Sequence, residues 1–186
     1  MRAAVLRNGR MIERDDVTEP VPGPGQVLVG VKACGICGSD LHFAKYGADV
    51  LELNNQIDGF GGRGGMQIDL NHDIFMGHEF SAEVLEAGPD TDAPAPGTLV
   101  TSLPVLVSST GFEPIVYSNK TIGGYAERML LSAPLLTPIP NGLDPRHAAL
   151  TEPMAVGLHA VNKSAVERGE TALVLGCGPI GIAIIA

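Results

Sequence analysis

What this sequence has little of narrows its class. Only three cysteines, Cys34, Cys37 and Cys177, stand among 186 residues. They make no disulfide framework and point instead to metal ligation, catalysis or burial. Cys34 and Cys37 have C-x-x-C spacing, but no second such pair follows, which excludes a four-cysteine zinc knot. Cations are scarce: Lys plus Arg is 12 against 21 for Asp plus Glu, a net charge of −9. A nucleic-acid surface carries clustered cations, so this balance argues against one. No apolar run approaches the roughly 20 residues of a membrane span, and residues 1–7 are too briefly apolar for a signal peptide. No repeat and no sustained charge run is present. A soluble, acidic, cytoplasmic chain is expected.

The chain is rich in turn formers. Gly (24) and Pro (14) together make 38 of 186 residues, which favours turns and short strands over long helices. A 45% hydrophobic content supports a packed core, and the length suits one domain, or one plus the beginning of another. Residues 2–6 and 10–13 read as strands around an Asn8-Gly9 turn, a strong hairpin signal. Val27, Val29 and Val31 alternate within a predicted strand over 27–33. A short helix is expected over 36–46, with Ser39 or Asp40 available to cap it. Residues 47–75, with Gly59, Gly61, Gly62, Gly64 and Gly65, read as an insertion loop. Strands return over 80–87, 98–107 and 123–131, and Pro134, Pro138 and Pro140 mark an extended connection. Residues 147–163 read as a helix with a kink or break near Pro153.

The last segment changes character. The run 171–175 reads as a buried strand, followed by Gly176-Cys177-Gly178-Pro179-Ile180-Gly181 and an apolar helix start. A strand, then G-x-G-x-x-G, then a helix is the dinucleotide-binding fingerprint in its required context, with a pyrophosphate at the helix N-terminus. Gly176, Gly178, Pro179, Ile180 and Gly181 are therefore the candidate cofactor-binding residues. A plain glycine-rich strand-to-helix turn is the alternative reading of the same pattern.

Catalytic zinc takes three protein ligands and keeps one position open. Cys37, His78, Glu79 and Glu152 are of the right type, but separations of 41 and 74 residues say nothing alone. Taken singly, Cys37 reads as a buried thiol, His78 as a turn residue and Glu152 as a helix N-terminal charge.

Five motifs occur in order: Gly-Ile-Cys-Gly-Ser-Asp-Leu-His, Gly-His-Glu, Gly-Gly-Tyr-Ala-Glu, Glu-Pro-Met-Ala-Val-Gly-Leu-His-Ala and Gly-Cys-Gly-Pro-Ile-Gly. Together they resemble the zinc-dependent medium-chain alcohol dehydrogenases, and the Glu-Pro motif is most similar to the sorbitol and butanediol dehydrogenase branch. The resemblance implies a mainly β chain with some α structure: a GroES-like, partly open β-barrel catalytic domain over 1–165. The first strand and helix start of a truncated Rossmann domain would follow over 166–186. The full enzyme would be roughly twice this length, and this piece alone would lack most of the nicotinamide site. The activity implied is zinc-dependent, NAD- or NADP-linked oxidation of a small alcohol or polyol, by a homo-oligomer when full length.

The resemblance also assigns roles. Cys37 and His78 match zinc ligands, and Glu79 and Glu152 match two acidic positions used directly or through a water. Two bound carboxylates would make the site anionic, so one glutamate at a time is expected to bind tightly. Ser39 resembles a proton-relay hydroxyl, His42 the histidine that passes the proton to solvent, and Asp40 the carboxylate that orients the zinc-bound histidine. His159 is expected to be structural. Cys34 aligns with a non-ligand position. Residues 80–122 contain no cysteine, so one zinc is expected, without the structural zinc that most of the family carries. Ala82 and Thr98 replace a glycine and an aspartate usual in the family. Two competing readings are a non-catalytic zinc-binding or interaction module of the same fold, and a zinc-independent quinone reductase. The exposed apolar end argues against the first; the second has no need of Cys37, His78 and Glu152 together.

Overall fold

In the computed structural model, which describes residues 1–58, 67–108 and 111–186, the chain starts with the expected hairpin. Strand β1 (Ala3–Arg7) pairs with β2 (Arg10–Arg14) across Asn8 and Gly9, whose φ values are both positive (51° and 71°), as a twist-matched two-residue turn requires. Strand β3 (Gln26–Cys34) follows, then helix α1 (Gly38–Asp58), β4 (Ile74–Met76) and β5 (Phe80–Ala87). Next come β6 (Leu99–Ser102), β7 (Val105–Ser108), β8 (Gly111–Pro114), β9 (Tyr117–Ser118), β10 (Arg128–Ser132) and β11 (Leu136–Pro138). Helices α2 (Pro145–Ala148), α3 (Thr151–Ser164) and α4 (Pro179–Ile185) complete the order.

The strands form a four-stranded sheet, β2-β1-β4-β9, a five-stranded sheet, β10-β3-β5-β6-β11, and the β7-β8 hairpin. Strand β3 lies inside its sheet, and Val27, Leu28 and Val29 are all buried, so both of its faces are covered rather than the single valine face. Val27 and Val29 pack with Phe80, Val84, Val100 and Met129 into the main core. A smaller core joins Leu6, Phe43, Ile74 and Met76 under α1. Among the described residues no helix is long and apolar enough to cross a membrane.

Several expectations are corrected. The helix read over 36–46 continues to Asp58, interrupted at Tyr46 (φ −127°, ψ 24°). Val50 and Leu51 pack on the smaller core, and that tertiary contact carries the helix into the segment read as a loop over 47–75. The loop reading also loses residues 74–75 to β4, and Gly59, Gly61, Gly62, Gly64 and Gly65 lie outside the described residues. The helix over 147–163 does break near Pro153, but at Ala149 and Leu150 rather than at the proline itself. Pro153 falls in the first turn of α3, where a missing N–H removes no intrahelical bond. The strand expected over 171–175 is unpaired, with Leu173 84% and Leu175 88% exposed. A parallel strand needs a neighbour in its sheet, and none of the described strands pairs with it. The connection marked by prolines contains β11, and the strand over 123–131 begins only at Arg128.

Candidate metal centre

The site is assembled by the pairing of β3 with β5. Their antiparallel register runs to Cys34 opposite Phe80, and one more bond, Gly35 N–H to Glu79 O at 2.7 Å, carries the ladder into the two loops beyond. Register shifts between Leu28 and Val29 and between Val31 and Ala33 bend β3 as bulges do next to binding sites. Gly35 packs closely on Glu79: a Cβ here would stand 2.2 Å from Glu79 Oε2, and that carboxylate would have to turn aside. The loop after β3 ends on Cys37, directly before α1. The loop before β5 supplies His78 and Glu79.

Among the described residues, Cys37, His78 and Glu79 form a cluster whose ligand atoms lie within 4.8 Å of one another. His78 and Glu79 are buried and Cys37 is half-buried. A thiolate, an imidazole and a carboxylate match the mixed donor set of a three-ligand zinc site, so these side chains fit the ion. Glu152, in the first turn of α3, stands outside this cluster but within its electrostatic reach. Burial pushes its carboxyl up, His78 pulls it down, and the charges of Glu79 and Asp40 push it up again.

Asp40 is 3% exposed, in the first turn of α1. Its Oδ2 accepts the Cys37 N–H at 3.0 Å, so the carboxylate reaches back to the helix start as in half of a capping box, where the helix dipole also favours it. Its Oδ1 faces His78 Nδ1 at 3.6 Å, beyond hydrogen-bond range, and both atoms are buried with no hydrogen-bond partner. Ser39 and His42 are exposed one turn apart on α1. The Ser39 hydroxyl bonds the Tyr117 hydroxyl, whose pKa burial raises and that bond lowers. The His42 ring lies 5.0 Å from that of Tyr46. His159 is exposed on α3. Cys34 points away from metal chemistry: burial, then the charge of Asp40, pushes its thiol up to about 12.

Tyr125 received no role from the sequence. Its hydroxyl donates to Asp40 Oδ2 at 2.7 Å, and burial with this bond pushes its phenol well above the usual range. Its place after Gly123-Gly124 in a quoted motif was the only signal.

Around the glycine fingerprint, Gly176 has φ +103° and Pro179 opens α4. A Cβ at Gly178 would meet open space, whereas one at Gly181 would stand 1.9 Å from Gly176 O. Gly176 thus takes the turn, Gly178 leaves its side open, and Gly181 packs closely on the turn.

The profile of the alcohol dehydrogenase GroES-like domain matches residues 23–141. The chain belongs to that family. It is 34% identical over 203 residues to (R,R)-butanediol dehydrogenase of Bacillus subtilis (strain 168), covering 100% of this chain and 54% of the relative. It is 30% identical over 176 residues to sorbitol dehydrogenase of Halalkalibacterium halodurans, covering 88% and 46%. The crystal structure of 2R,3R-butanediol dehydrogenase from Bacillus subtilis superposes with a TM-score of 0.77 at 30% identity, over 99% of this chain and 53% of that one. A Sinorhizobium meliloti 1021 chain described as a zinc-binding dehydrogenase, bound to NADP, does so with a TM-score of 0.76 at 31% identity, over 98% and 51%. The family's members include the butanediol and sorbitol dehydrogenases to which the motifs pointed. The chain spans about half the length of the curated relatives it matches.

Proposed function

We propose that this chain is the zinc-binding catalytic part of an NAD- or NADP-linked dehydrogenase that oxidises a small alcohol or polyol. The observation that carries the reading is the convergence of Cys37, His78 and Glu79 within 4.8 Å. In this reading residues 1–165 are the catalytic domain and 166–186 open the cofactor domain. Cys37, His78 and Glu79 would hold one zinc, with Glu152 as the alternative acidic ligand. Zinc, when bound, supplies Lewis acidity toward the substrate oxygen. Gly176, Gly178, Pro179, Ile180 and Gly181 would hold the pyrophosphate of NAD or NADP, which supplies the hydride acceptor.

The chain's own residues then divide the remaining work. Asp40 orients His78 so that its other ring nitrogen faces Cys37 and Glu79. Ser39 would take the proton of the substrate hydroxyl while passing its own on toward His42, one turn along the exposed face of α1, which releases a proton to solvent. The burial of Asp40, His78 and Glu79 keeps water from competing for their polar atoms. The net charge of −9 supports a small-molecule partner rather than nucleic acid. A cytoplasmic homo-oligomer without a membrane partner completes the reading.

Metal analysis of the full chain tests the site. One zinc per chain is expected in the wild type and none in Cys37→Ser or His78→Ala; unchanged zinc in both variants overturns the assignment. The activity is tested with the protein purified from its natural source, by following nicotinamide reduction with butanediol and sorbitol before and after chelation. An intact mass near twice 19.3 kDa supports the domain reading. A mass of 19.3 kDa, with no alcohol oxidised, would replace it by a non-catalytic zinc-binding role.

A further inference from the structure

We infer that Tyr125 is a positioning residue for His78, acting through Asp40; the inference rests on the reading of Cys37, His78 and Glu79 as metal ligands. The chain around Tyr125 is fastened to the loop that carries His78. Gly124 N–H donates to Gly77 O at 2.7 Å, and Tyr125 N–H donates to Met76 O at 3.1 Å. The phenol ring lies against Gly77, where a Cβ would stand 2.7 Å from Tyr125 Cδ1. The ring is thus packed on the residue directly before His78, and its hydroxyl has a fixed direction.

That hydroxyl has two acceptors in reach, Asp40 Oδ2 at 2.7 Å and Gly35 O at 3.2 Å. The shorter bond, to a carboxylate, is the stronger. Oδ2 also takes the Cys37 N–H at 3.0 Å. With one oxygen held twice, the carboxylate cannot swing without breaking both bonds. Its other oxygen stays aimed at His78 Nδ1, 3.6 Å away, and neither of these buried atoms has another partner. Closing that gap would make Nδ1–H the donor to Oδ1 and leave Nε2 for the metal, so the phenol, by holding Asp40 in place, favours that imidazole tautomer. Phenylalanine at 125 would keep the ring packing and remove one of the two restraints on Asp40.

The test is zinc affinity of the full chain, by competition with a chromophoric chelator, for the wild type, Tyr125→Phe, Asp40→Asn, the double variant, Cys37→Ser and His78→Ala. Removing an outer partner of a metal ligand typically weakens binding 10- to 100-fold, and Tyr125→Phe is expected near the lower end, about tenfold weaker. The thermal midpoint of the metal-free chain is expected to stay within about 4 °C. In the Asp40→Asn background the second substitution is expected to cost little more, because the two residues act in series. The cobalt-loaded variant should keep its thiolate charge-transfer absorption while its ligand-field bands shift. Wild-type zinc affinity in Cys37→Ser and His78→Ala would defeat the site reading itself. Loss of zinc in those two with wild-type affinity in Tyr125→Phe would defeat the positioning role alone, as would fully additive losses in the double variant.

Discussion

Substituting Gly35 by alanine isolates the contribution of Glu79. The three atoms nearest to a Cβ built on Gly35 all belong to Glu79: Oε2 at 2.2 Å, Cβ at 3.2 Å and Cδ at 3.3 Å. A carbon-to-oxygen contact relaxes at about 3.3 Å or more, so Oε2 has to move by roughly 1 Å. It is the far end of a flexible side chain, so the carboxylate turns aside while the Gly35 N–H to Glu79 O bond holds the backbone. Overpacking of this kind costs about 1–3 kcal/mol, and a domain of this size loses about 2–4 °C per kcal/mol. The thermal midpoint should therefore fall by about 2–12 °C without loss of the fold. Zinc affinity, measured by chelator competition, should fall about tenfold or more, equivalent to about 1.4 kcal/mol. Gly38→Ala is the control: it lies three residues away and its Cβ would meet open space, so both readouts should stay at wild-type values. Wild-type zinc affinity in Gly35→Ala would refute the reasoning and hand the acidic ligand to Glu152.

Other perturbations reach other parts of the structure. Cys177, exposed, should react at once with a thiol reagent at pH 8, while Cys34 should react only on unfolding, because its thiol is pushed up to about 12. The native state then keeps a proton that the unfolded chain releases near its ordinary value of 9.0. The stabilisation is complete below that value and is lost as pH rises toward 12, at about 1.4 kcal/mol per pH unit. The difference in urea midpoint between wild type and Cys34→Ala across that window checks the sign. Leu173→Ala and Leu175→Ala should change stability by less than about 0.5 kcal/mol, and Met129→Ala, in the main core, should cost about 2–5 kcal/mol. Denaturant unfolding separates the two cases. Gly181→Ala should abolish hydrogen-exchange protection of the Ile182 amide, which donates to Gly178 O at 2.9 Å, because the clash at 1.9 Å is with backbone. Gly178→Ala should preserve it.

Features decided between near neighbours were legible in the sequence. Asn8-Gly9 requires two positive φ values and has them, and Phe80–Ala87 forms the strand that its residues predict. The glycine turn at 176–181 forms through contacts within six residues. The order of five motifs was enough to indicate the family, because motif order is a property of the chain alone. Features that depend on distant partners were not legible. The strand over 171–175 has the right composition but no neighbour to bond, and composition alone forms no ladder. Helix α1 passes Tyr46 because Val50 and Leu51 find a core built by Leu6, Ile74 and Met76. The helix over 147–163 breaks at Ala149 and Leu150, and Pro153 then sits harmlessly in a first turn. The meeting of Cys37 with His78 and Glu79 belongs to this second class. A separation of 41 residues carries no distance; the register that sets Cys34 opposite Phe80 does. Asp40, Tyr125 and His78 likewise come from three segments, and only the packing of those segments decides which carboxylate oxygen is tied and which is left facing the imidazole.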